Sequence, residues 1–94
     1  MQIITAIENK QLLSLTYKGL HRTVEPHAVG RSSTGNDVLR CYQITGAHTE
    51  SGHDWNILTV AKIENLALTG QNFMAAQPDY KRGDKGMVTI YAEL

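Results

Sequence analysis

The chain has 94 residues, 41% of them apolar and 19% charged, a balance suited to one small folded domain rather than to wholesale disorder. Nine basic and nine acidic residues cancel, so bulk charge gives no drive toward nucleic acid or membrane, and any such binding needs a local patch. The single Cys41 cannot form an internal disulfide, and no apolar run reaches the length of a membrane span, so a cytoplasmic protein is expected, with no signal peptide at Met1-Gln2-Ile3-Ile4. Near-zero net charge also suits a chain that associates with itself or with a partner protein.

Ile3, Ile4 and Ile7 share one face at helical spacing, which predicts a short helix over residues 2–10 covering one end of a sheet. Leu13, Leu15 and Tyr17 then alternate with Ser14, Thr16 and Lys18, the period of a half-buried strand, and Gly19 opens a tight turn. A second strand is predicted over 22–29, with Pro26 marking an edge or a bulge because it cannot donate a ladder hydrogen bond. The chain turns at Gly35-Asn36 and re-enters as a third strand over 38–45. In it Leu39 and Cys41 share one face, while Val38, Arg40, Tyr42 and Ile44 share the other. A polar loop, 46–54, carries His48 and His53. A fourth strand follows over 55–60, then a turn at Ala61-Lys62 and a fifth strand over 63–69 ended by Gly70. Residues 73–86 read as irregular, and Val88, Ile90 and Ala92 alternate in a last strand. One helix with five or six short strands predicts a mainly β fold, a small bent sheet closing into a barrel of about five strands.

The ordered set Ala6-Ile7-Glu8-Asn9-Lys10, Tyr17, Arg22, Val24-Glu25-Pro26, Val38 to Tyr42, Trp55, Leu58, Val60, Lys62-Ile63 and Phe73 resembles a WYL domain, the ligand-sensing module of many bacterial transcription regulators. The resemblance spans residues 3–73, leaving 74–94 as a C-terminal extension with the last strand. It implies an Sm-like, SH3-like barrel. The three letters that name the family fall at Asp37-Val38-Leu39, where only the leucine matches. Lys62 stands where the family usually has arginine, and Thr59 at a second position that is often basic. Most family members carry an N-terminal winged helix-turn-helix; this chain resembles the small stand-alone forms without one, so direct operator reading is not expected.

Arg22, His27, Arg31, Arg40, Tyr42 and Lys62 are the candidate ligand residues, forming a basic, aromatic-edged pocket. Arginine gives bidentate hydrogen bonds to phosphate oxygens and tyrosine stacks on a base, so the expected ligand is an anionic small molecule, a nucleotide or a short single-stranded nucleic acid. The competing arrangement is a solvated strand face with Arg40 paired to Glu25 or Asp37. Other features point away from chemistry. His21 and His27, six apart on one strand, are read as facing opposite sides, and no histidine spacing matches a zinc motif. Cys41 reads as a buried apolar residue rather than a nucleophile. Ser32-Ser33-Thr34-Gly35 lacks the lysine and helix of a phosphate loop and reads as a hairpin tip, Trp55 as a packing residue, and 80–85 as a solvated loop. With no acid pair or nucleophile–base pair at recognisable spacing, a non-enzymatic binding module without cofactor is expected. The alternative is a structural module acting through β-edges or homo-oligomerisation.

Overall fold

The computed structural model describes residues 1–46 and 54–94. Helix α1 (Gln2–Glu8) leads into β1 (Gln11–Tyr17), β2 (Leu20–Arg31) and β3 (Asp37–Gly46). Then come β4 (Trp55–Thr59), a 3-10 turn (Val60–Lys62), β5 (Glu64–Asn72) and β6 (Thr89–Glu93). His48 and His53 lie outside the described residues. Among the described residues no helix is long and apolar enough to cross a membrane.

Ile3, Ala6 and Ile7 of α1 are buried, as their spacing requires. They pack on Leu13, Leu15, Val24, Val29, Leu39, Cys41 and Leu58, the inner face of the sheet. The β1–β2 hairpin pairs Tyr17 with Leu20 across a two-residue loop, Lys18-Gly19. Both loop residues have positive φ (52° and 75°), the backbone that a tight turn matched to strand twist demands.

The strands form one antiparallel sheet in the order β4-β3-β2-β1-β5, with β6 pairing β2 beside that path. Strand β2 is long enough to serve three neighbours. Its first half pairs β1, its last four residues pair β6, and β3 runs along its other edge. The bend between the halves lies at the register shift between Pro26 and Ala28. There Pro26 stands at a bulge inside the sheet, where its missing N–H costs no ladder bond. The shift also explains why Val24 and Val29, an odd number apart, both reach the core.

Three sequence expectations are corrected. Among the described residues the sheet is not closed into a barrel, because β4 pairs only β3 and β5 pairs only β1 there. Strand β5 runs through Gly70, whose φ of 80° falls at an irregularity in the β1–β5 register, and ends at Asn72. His21 and His27 share a face of β2, since six is an even spacing. His21 is exposed there and His27 is buried because the chain after β5 covers only the far end.

Candidate functional site

Alternation on β2, β3 and β4 sends Glu25, His27, Arg40, Tyr42 and Trp55 to the outer face of the sheet. Residues 73–86 are irregular in backbone and cross this face as a strap. The strap has no ladder of its own; beyond the Phe73 N–H bond to the Lys10 carbonyl at 2.8 Å, side chains hold it. The Gln77 backbone N–H donates to His27 Nε2 at 3.0 Å, and Gln77 Nε2 donates to Glu25 Oε1 at 2.8 Å. His27 Nδ1 donates to the Glu25 carbonyl at 2.9 Å. An N–H can only donate and a carbonyl can only accept, so the imidazole is neutral with its proton on Nδ1.

His27 is fully buried and is the hub of an aromatic cluster. Trp55 and Tyr80 meet its ring edge-on at 4.8 and 4.9 Å between centroids, and Phe73 stacks at 5.9 Å. Tyr42 packs edge-on against Trp55 at 5.3 Å, and its hydroxyl donates to Asp54 at 3.3 Å. Burial lowers the His27 pKa below its ordinary 6.5, more than the nearby Glu25 and Asp79 raise it. The unfolded chain therefore takes up this proton first. Stability should fall as pH drops below about 6.5 and go on falling down to the folded-state value. Melting midpoints at pH 7 and pH 5 should show this loss, and His27→Phe should abolish the part of it lying above pH 5.

Between the strap and the strands lies a groove of about 500 Å³. Trp55 and Tyr80, near-parallel with centroids 6.2 Å apart, give it an aromatic wall. Arg40, Lys81, Arg82 and Lys85 line it with four cations against the two carboxylates of Asp79 and Asp84. Both carboxylates are engaged. Asp79 accepts from Trp55 Nε1 at 2.9 Å and so fixes the indole. Asp84 accepts from Arg40 Nε at 2.7 Å and Nη2 at 3.3 Å, and from the Gly86 N–H at 2.8 Å. The Arg40 hydrogen bond, ahead of the Gly86 N–H, holds the Asp84 carboxyl below its usual range despite its burial. Arg82 pairs with Glu93 of β6 at 3.1 Å, and Glu93 also accepts from the Gly83 N–H at 3.0 Å. Lys81 and Lys85 are exposed and have no carboxylate partner among the described residues. Burial first, and then the charges of Glu93 and Asp84, raise the Tyr80 pKa, so its hydroxyl stays protonated at neutral pH.

Of the six residues singled out from sequence, only Arg40 lines the groove. Tyr42 backs it through Trp55, and His27 lies beneath it with both ring nitrogens satisfied. Arg22 is buried on the inner face. Arg31 is exposed at the end of β2, and Lys62 is exposed in the 3-10 turn. The partner of Arg40 is Asp84, not Glu25 or Asp37; Glu25 is taken by Gln77 and Asp37 accepts from the Tyr91 hydroxyl at 2.8 Å. Residues 80–85, read as a solvated loop, form the groove wall. The sequence signal that could have found them is the charge-dense run Lys81-Arg82-Gly83-Asp84-Lys85 directly after an aromatic residue.

Cys41 is fully buried, and burial pushes its thiol up to about 12, which keeps it protonated and unreactive. Among the described residues no group of three His, Cys, Asp or Glu side chains converges to hold a metal ion. No protein-family model matches the chain, and neither a curated protein nor a solved structure does.

Proposed function

We propose that the protein is a non-enzymatic binding module whose outer groove takes a negatively charged ligand, a nucleotide or a short single-stranded nucleic acid. The observation that carries this is the surplus of cations on an aromatic wall in a chain of zero net charge. Cations track phosphates and aromatic faces stack on bases whatever their sequence. Arg40 anchors the phosphate end, Lys81 and Lys85 supply mobile charge, and Trp55 and Tyr80 offer the stacking surface. In this reading the open sheet is a variant of the WYL-type, Sm-like core, and the strap supplies the surface that the missing family residues at Asp37 and Val38 do not.

Fluorescence anisotropy of a labelled single-stranded oligonucleotide tests it. Affinity should fall steeply as salt rises, and Lys81→Ala with Lys85→Ala should weaken binding by about tenfold or more and flatten the salt slope. Binding that ignores both salt and these substitutions would remove the groove from consideration. A second reading, a protein-interaction module, draws on β5, an exposed nine-residue strand at the end of the sheet with neither lysine nor proline to protect its edge. A stable dimer in light scattering together with no oligonucleotide affinity would favour it.

A further inference from the structure

Arg22 has no role in the groove. It projects from β2 onto the inner face, opposite Leu15 of β1 and Gly46 of β3, and only 2% of its surface is exposed. Its guanidinium carbon sits 5.5 Å from the centre of the Tyr17 ring. Nη2 makes one long hydrogen bond, 3.5 Å, to the Tyr17 carbonyl. The buried Nε–H has no hydrogen-bond partner among the described residues. No carboxylate among the described residues lies within ion-pair distance.

This is an unbalanced arrangement. A guanidinium cannot shed its proton, and a buried charge is tolerated only when paired and hydrogen-bonded. One aromatic face and one long contact do not replace the hydration of five N–H donors. An apolar residue of similar volume would fill the space at lower cost. The surroundings are built rather than loose: the Tyr17 hydroxyl accepts from the Thr59 N–H at 3.1 Å, which fixes the ring beneath the guanidinium. Gln43, also 2% exposed, shares this face opposite Val24 and adds an amide to the polar patch.

We propose that Arg22 is the floor of a second binding site, separate from the groove, for a single oxyanion. The unpartnered Nε–H is one free donor, and Nη2, held only by its long bond to the Tyr17 carbonyl, lies on the same edge; together they are the pair of donors that phosphate and carboxylate groups accept side-on. The depth of the residue limits the occupant to inorganic phosphate or the terminal phosphoryl or carboxylate group of a slender ligand.

The Nε–H proton resonance of Arg22 reads this site directly, because burial slows its exchange. Titration with inorganic phosphate, and separately with a nucleoside monophosphate, at ionic strength matched with chloride should shift it saturably. The shift should persist when Lys81→Ala and Lys85→Ala disable the groove. A shift with the monophosphate alone assigns the site to the end of a larger ligand. No shift with either compound overturns the proposal, whatever happens at the groove. Thermal denaturation gives a second reading. Phosphate at ten times its Kd should raise the wild-type midpoint by about 6 °C or more and leave Arg22→Met unmoved. Equal rises in the two proteins would equally overturn it.

Discussion

Alanine at position 30 should undock the last strand. Gly30 pairs with Ile90 of β6, and a Cβ built on it would stand 2.1 Å from the Thr89 carbonyl oxygen and 3.0 Å from Ile90 Cα. Those are backbone atoms, so no rotamer change relieves the clash and β6 must retreat. The retreat breaks the Val88 N–H to Arg31 and Leu94 N–H to His27 carbonyl bonds, both 2.8 Å, at the two ends of the pairing. Overpacking of this kind with lost ladder bonds should cost about 3 kcal/mol, a fall of about 12 °C or more in melting midpoint for a domain this size. Gly35→Ala is the control. Its φ of 87° strains any other residue, but its Cβ meets nothing within 4 Å, so the loss should be only about 1 kcal/mol. Amide exchange separates the two: Gly30→Ala should deprotect Ala28 to Arg31, and Gly35→Ala should not. Because Glu93 of β6 holds both Arg82 and the Gly83 N–H, Gly30→Ala should also weaken the groove.

His27→Ala should free the strap. The substitution removes a buried ring in contact with Trp55, Phe73 and Tyr80 and strips the Gln77 N–H of its acceptor. A lost buried ring and an orphaned donor together should cost about 3–4 kcal/mol. His27→Phe restores the ring but not the hydrogen bonds, and should recover about half of that. Trp55 reports the outcome, since it is the only tryptophan in the chain. Its emission should move to longer wavelength in His27→Ala as the strap lifts away and water reaches the indole. Equal stability of the alanine variant and the wild type would mean that the strap is held by other contacts.

Local periodicity made much of this fold legible. The spacing of Ile3, Ile4 and Ile7 marked α1, and alternation put Leu39 and Cys41 on one face of β3, the buried one, and Arg40 and Tyr42 on the other. What failed depended on register and on distant contacts. Arg22 and Arg40 looked like neighbours because their strands are adjacent, yet they point to opposite faces. The register of β2 with β3 pairs Glu25 with Tyr42 and Pro26 with Cys41, which puts Arg22 on the side of Cys41. Without that register, which shifts at two places, proximity in a hairpin could not decide the face. The strap was illegible for a different reason. Its anchors, Gln77 to His27 and Asp84 to Arg40, span 50 and 44 residues and leave no periodic trace. Closure of the sheet likewise depends on what β4 and β5 pair with, which alternation within each strand does not specify.

The groove is the centre of this account, and Trp55 stands in its wall. Titration of the wild-type protein with a short single-stranded oligonucleotide, followed through Trp55 fluorescence, tests it most directly. Stacking on the indole should quench the emission saturably, with an apparent affinity that weakens as salt rises and falls by about tenfold or more in the Lys81→Ala, Lys85→Ala variant. Emission that stays unchanged through the titration at low salt, while the protein remains folded, would contradict the claim.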